Sequence, residues 1–157
     1  MNYWLMKSEP TCFSIDTLQS LPKKTTAWDG VRNYQARNMM KDQMQRGDLA
    51  FFYHSNCPVP GIVGIMEVSS QKAYPDPTQF DPSNDHYDPK AHPDKPIWWL
   101  VDLTFKRKFT SVISLAALKN HPQLSDLFIL RRGNRLSITP ITEPQWHIIL
   151  SMADHPL

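Results

Sequence analysis

The stretch Asp48-Leu-Ala-Phe-Phe-Tyr-His54 constrains this chain most, because its apolar side chains run on without alternating with polar ones. A strand of that kind is apolar on both faces and belongs in the buried centre of a sheet. Gly61 to Val68 is its expected neighbour, and Ser55 to Pro60, rich in turn formers, is the connection. The chain has 157 residues, 41% of them hydrophobic and 20% charged, which fits one domain, residues 1–157, around one core.

The flanking elements are read from periodicity and punctuation. Tyr3 to Lys7 is a first strand, halted by Pro10, which has no N–H to donate. Ser14 is placed to cap a short helix carrying Ile15 and Leu18. Asn33 is placed to cap a longer one, with Ala36, Met39, Met40 and Met44 at helical spacing and Gly47 as its C-terminal cap. That methionine stripe reads as core packing rather than as a soft binding surface. From Ile97 to Phe105 the pattern is a strand with Ile97, Trp99, Val101, Leu103 and Phe105 on one side. Ser114 caps Leu115–Leu118, Pro122 stops it, and Leu136 to Ile141 is a last strand. Thr142-Glu-Pro-Gln145 forms a capping box for a final helix whose buried face is Trp146, Ile149, Leu150 and Ala153. Strands outnumber helices and do not alternate with them, which predicts an α+β fold, a small curved or partly closed barrel with peripheral helices.

Tyr74 to Pro96 stands apart. Its six prolines and five aspartates exclude regular structure, and a loop so long is functional or disordered. Tyr74, Phe80 and Tyr87 give it something to pack with, which argues against disorder.

Net charge is +2, with Lys72 to Pro96 contributing −2, so the remainder is near +4. Arg32, Arg37, Lys41 and Arg46 form one basic group, Lys106-Arg107-Lys108 a second, and Arg131, Arg132 and Arg135 a third. Each is a solvated face or a phosphate contact. No stretch approaches a membrane span, and the N-terminus has no basic and apolar leader pattern. The expectation is a cytoplasmic protein with no membrane partner. Cys12 and Cys57 are expected as reduced thiols, and without a Cys-x-x-Cys pair no structural zinc is expected.

Catalytic signatures are scarce. There is no Gly-x-Ser-x-Gly elbow, no phosphate-cradling glycine loop and no His-Glu-x-x-His. Asp81, Asp85, His86, Asp88, His92 and Asp94 read as a solvated acidic loop rather than a metal site, so neither metal nor cofactor is expected. His54-Ser55 at a strand end is either a nucleophile–base pair or a hydrogen-bonded pocket wall. A base-binding pocket needs aromatic walls and a few amide, hydroxyl or guanidinium groups. Trp28 to Arg37 holds all of these at a loop-to-helix junction whose N–H groups also face outward to phosphate. The competing reading is that Trp28 and Tyr34 plug the core.

Two longer patterns add to this. Tyr3-Trp4-Leu5-Met6-Lys7-Ser8-Glu9-Pro10 with Trp28-Asp29-Gly30-Val31-Arg32-Asn33-Tyr34-Gln35-Ala36-Arg37-Asn38 resembles the EVE domain family. So do Gly47-Asp48 with Phe51-Phe52-Tyr53-His54-Ser55, then Gly61-Ile62-Val63-Gly64-Ile65, and Tyr87-Asp88-Pro89-Lys90. The resemblance implies a PUA-like barrel related to the YTH domains, binding DNA or RNA that carries a modified base. It implies that Trp28 stacks on the base, with Tyr87 or Trp98 as a second wall. Ser8, Asn33, His54 and Ser55 then bond the base edge. Lys7, Arg32 and Arg37 meet phosphate, Asp88 accepts from an exocyclic amine, and Tyr34 stands beside them. The expected function is a non-catalytic reader. The alternatives are a hydrolase or base-modifying enzyme using His54 and Asp88, or a scaffold acting through the Pro-rich loop.

Overall fold

The computed structural model describes residues 1–154. Six strands form one sheet: β1 (Tyr3–Ser8), β2 (Thr25–Ala27), β3 (Leu49–His54), β4 (Gly61–Val68), β7 (Asp102–Ser114) and β8 (Ile138–Ile141), in the spatial order β2-β7-β4-β3-β1-β8. A two-residue pair, β5 (Tyr74–Pro75) with β6 (Trp99–Leu100), stands apart. The helices are α1 (Ile15–Ser20), α2 (Tyr34–Asn38), α3 (Leu115–Asn120) and α4 (Glu143–Asp154). The fold is α+β, with the large sheet curled into a half-barrel. β1 and β3 are parallel and the other pairings antiparallel.

The expectation for β3 holds. It lies inside the sheet, and its side chains divide between two cores, as the two-residue period requires. Ala50 and Phe52 join Trp4, Met6, Ile15, Leu18, Met40 and Met44 beneath α1 and α2. Phe51 and Tyr53 join Leu5, Leu118, Trp146 and Ile149 beneath α3 and α4. The methionine stripe is therefore core. Register shifts in β3–β4 and β4–β7 add the local bends that curl a sheet. Gly64 is required where β4 bends, because a Cβ there would strike the Arg107 carbonyl and the Ile15 side chain.

The caps form as expected. Ser14 Oγ accepts from Thr17 N, Asn33 Oδ1 from Ala36 N, and Ser114 Oγ from Ala117 N. The capping box closes in both directions, Gln145 N to Thr142 Oγ1 at 3.3 Å and Thr142 N to Gln145 Oε1 at 2.9 Å.

Several boundaries differ. The helix at Asn33 runs as α for five residues, widens to a π turn over Met39–Gln43, and ends at Met44. Gly47 lies beyond it, and its positive φ of 97° serves the turn into β3. The strand expected over Ile97–Phe105 is two strands, and the second runs on to Ser114. Lys106, Arg107 and Lys108 therefore lie within a strand. Each meets a carboxylate, of Glu67, Asp154 and Asp16 respectively, so this group is not free for phosphate. β8 begins two residues later than expected, and Leu150 is only partly buried while Gln145 is buried.

Tyr74 to Pro96 is largely irregular but tightly held. The Gln79 amide is fully buried and makes four hydrogen bonds: to the carbonyls of Asp76 and Trp98, and from the N–H groups of Ile97 and Trp98. Asp76, also buried, accepts from Gly30 N, Thr78 N, Thr78 Oγ1 and Arg32. Burial alone would raise its carboxyl; these bonds outweigh that and hold it below the usual range.

Candidate functional site

A cavity of about 550 Å³ opens where β1 ends, beside the Trp28–Arg32 stretch. That size suits a small ligand. It is lined by Lys7, Ser8, Phe13, Trp28, Asp29, Gly30, Arg32, His86 and Ser137, among others. Segments far apart in sequence meet here: the end of β1, the turn before α1, the stretch after β2, the long loop, and the residue before β8.

The local chain path follows from its hydrogen bonds. Trp28 N donates to Val101 O, and Asp29 N to Ala27 O. Gly30 then turns with a φ of 81° and donates its N–H to Asp76. Residue 30 has a second reason to be glycine: a Cβ would lie 2.6 Å from the His86 ring. The imidazole thus covers a bare backbone and stands as a cavity wall.

Trp28 is buried among Phe13 and Phe52, both packed edge-on to it, with ring centroids 6.1 and 5.5 Å away. It is both a core residue and a wall, so the two readings of it are compatible. Lys7 is pushed below the usual lysine range by burial. Ser8 donates its hydroxyl to Phe13 O at 2.6 Å, leaving the oxygen as an acceptor. Asp29 was missing from the expected set. Its carboxyl is raised above the usual range by burial and by Asp76, against the partly offsetting fields of His86 and Arg32.

Of the twelve expected site residues, Lys7, Ser8, Trp28 and Arg32 line this cavity. Arg32 is committed: its guanidinium reaches Asp76 at 3.1 Å, Thr78 Oγ1 at 2.9 Å and the His86 carbonyl at 2.8 Å. It pins the long loop rather than standing free for phosphate. Asn33 is spent on capping α2, which at five residues is too short to offer an anion site. His54 Nε2 accepts from Ile15 N at 3.2 Å, and burial lowers its imidazole below the usual range despite the opposing pull of Asp16. Ser55 N donates to Ser8 O and its side chain is not part of the lining.

The remaining five sit elsewhere. Asp88 accepts from Trp98 Nε1 at 2.8 Å and from Lys90 N at 2.9 Å, and the tryptophan bond leads in holding its carboxyl low. Trp98 is buried, with Tyr34 stacked on it, and Arg37 lies beside that pair. Tyr87 is exposed and does not line this cavity. The second wall of the cavity is therefore the His86 ring rather than Tyr87 or Trp98. His86 reads as one more polar loop residue in sequence; only Gly30, marking a close approach, hinted at a partner.

A larger groove of about 860 Å³ lies on the opposite face between β7, α3 and α4. Its lining, including Val112, Ala116, Ile148 and Met152, has His121 as its sole titratable side chain. The smaller cavity concentrates the chemistry. Cys12 and Cys57 are free, and among the described residues no three His, Cys, Asp or Glu side chains are placed to hold a metal ion. No helix among them is long and apolar enough to cross a membrane.

The comparisons agree with this architecture. The model of the EVE domain matches residues 2–152. The chain is 45% identical to human thymocyte nuclear protein 1 over 98% of its own length and 74% of that protein's. That relative is named as a nuclear protein, so the expectation of a cytoplasmic location gains no support from the likeness. Among solved structures, the human THYN1 protein in complex with DNA containing 5-methylcytosine superposes with a TM-score of 0.93 at 44% identity, covering all of both chains. A Pseudomonas syringae protein superposes with a TM-score of 0.91 at 48% identity, over 96% of this chain and 99% of that one.

Proposed function

This chain belongs to the EVE domain family, and on that premise we propose that it is a non-catalytic reader of DNA, holding a modified cytosine in the Trp28 cavity. The observation that carries this reading is the cavity itself: an aromatic wall with a carboxylate, an ammonium and a hydroxyl converging on one small space. The human relative caught on 5-methylcytosine DNA supports the choice of base.

The assignment matches the edge of a cytosine, which offers an amine donor beside acceptor atoms. Trp28 and the His86 ring enclose the base. Asp29 accepts from the exocyclic amine, Lys7 donates to an acceptor on the ring, and Ser8 offers its remaining lone pairs. Arg131, Arg132 and Arg135 form the basic turn shortly before the cavity residue Ser137 and are the candidates for the DNA backbone. A charged carboxylate and a neutral base explain the set without any chemical step. The hydrolase alternative loses its residues, because neither His54 nor Asp88 lines the cavity.

The test is a titration of tryptophan fluorescence with 5-methyl-2′-deoxycytidine and its unmodified parent. Trp28→Ala is expected to weaken binding about tenfold, as loss of a stacking partner does. Because Trp28 also belongs to the core, Asp29→Asn serves as the second variant. Wild-type affinity should fall as the pH drops through the raised Asp29 pKa, since a protonated carboxyl is a poorer acceptor. In Asp29→Asn that pH dependence should vanish. Unchanged affinity in both variants, each shown to be folded, defeats the reading, as does turnover of the nucleoside. Equal binding of a matched RNA and DNA oligonucleotide would remove the choice of DNA.

A further inference from the structure

Outside the cavity three side chains make a pile. The Arg32 guanidinium lies 5.3 Å from the Trp98 ring centroid. Tyr34 stacks on Trp98 with centroids 4.9 Å apart and planes 26° from parallel. Trp98 is 5% exposed and Tyr34 is 58% exposed, so the pile starts in the interior of the long loop and ends in solvent. The Arg37 guanidinium is 4.8 Å from the Tyr34 centroid and 6.0 Å from that of Trp98. Arg37 thus lies beside the stacked pair, and with Tyr34 58% exposed much of the tyrosine ring stays open to solvent. Arg37 is itself fixed, donating to Ile97 O at 2.8 Å and to Asn38 Oδ1. Unlike the cations of β7, neither Arg37 nor Lys41 pairs with a carboxylate among the described residues.

We propose that the outer face of Tyr34 is a second stacking subsite, which takes the nucleobase next to the one held in the cavity, with Arg37 and Lys41 facing the adjoining phosphates. The inference rests on the cavity reading above. Arg32 belongs to both the cavity lining and the pile, so the pile links the cavity wall to Tyr34 through Trp98. A flat ring stacks on any base, and a neighbouring guanidinium strengthens the contact. Tyrosine loses little conformational freedom on binding, and this one is already propped flat by Trp98. The ligand is then an oligonucleotide with at least two adjacent unstacked bases, one read by its edge and one held regardless of identity.

The experiment compares three probes by competition binding: the nucleoside 5-methyl-2′-deoxycytidine, a single-stranded DNA pentamer with a central 5-methylcytosine, and that pentamer with abasic flanks. Tyr34→Ala is expected to weaken the pentamer about tenfold and the nucleoside less than about twofold. Tyr34→Trp should keep full affinity. The abasic flanks should weaken the wild type by the same factor, with no further loss in Tyr34→Ala. Equal weakening of nucleoside and pentamer, or no change in either, overturns the proposal. Should the wild type fail to bind the nucleoside while the pentamer still depends on Tyr34, the cavity reading falls and the stacking subsite stands. Tyr34 is exposed and caps nothing, so the variants are expected to fold, which thermal melting checks.

Discussion

The two faces of the sheet are held by different forces. Beneath α3 and α4 the contacts are apolar: Trp146 lies between Phe51 and Tyr3, with ring centroids 3.9 and 4.6 Å away. The face beneath α1 and α2 has an apolar floor too, but its outer boundary is a long loop fastened by the buried polar groups of Asp76 and Gln79. Packing tolerates no water and carries no chemistry, so it stabilises without specifying a ligand. Polar fastening spends hydrogen bonds on shape, and the cavity with its charged groups lies on that side. On the proposed reading, stability and recognition are largely assigned to opposite faces.

That division can be broken from either side. The largest effect is expected from Trp146→Ala, which should destabilise the fold by about 4 kcal/mol, as loss of a buried tryptophan does. Urea unfolding would measure it, and nucleoside affinity in the protein that remains folded should be unchanged. A loss of affinity there would show that the faces are coupled. Next comes Gln79→Ala, which leaves the Ile97 and Trp98 N–H groups without their acceptor, takes one of two donors from the Asp76 and Trp98 carbonyls, and should cost about 3 kcal/mol. Here affinity should fall as well, because His86 rides on the same loop.

The smallest effect concerns His54, which packs edge-on against Phe52 at the end of β3. Its imidazole is held neutral in the fold, where burial lowers its pKa and Nε2 accepts the Ile15 N–H. The unfolded chain takes up the proton near the ordinary value of about 6.5. Stability is therefore full above that pH and declines as pH falls through it, until the lower folded pKa is passed. Comparing urea midpoints at neutral and mildly acidic pH should show a smaller difference in His54→Gln than in the wild type.

How far the sequence could be read follows the same division. β3, its neighbours, the methionine stripe and four caps were legible, because each rests on local periodicity or on one side chain meeting a nearby N–H. Motif resemblance groups Trp28, Lys7 and Ser8, and the fold does bring them to one cavity. The roles of Tyr87, Trp98 and Asp88 were not legible, because they depend on where a proline-rich loop lies down. Nothing local reveals that Gln79 is buried or that Asp76 gathers four donors. Asp29 was hidden for a related reason: its raised carboxyl is a property of burial and of Asp76, and that neighbour is distant in sequence. The expected strand stops at Phe105, short of the end of β7, because Lys106-Arg107-Lys108 breaks the apolar alternation, and its three carboxylate partners lie far off in the sequence.

The placement of β1 bears on how the molecule is made. It precedes both of its sheet neighbours in the chain, β3, in parallel, and β8. At ordinary rates of translation, roughly ten seconds or more separate the emergence of β1 from that of β8. During that interval an apolar strand, Tyr3-Trp4-Leu5-Met6, has one edge unpaired. The nascent chain is therefore most prone to aggregate just before β8 appears, and shielding is needed most at that point.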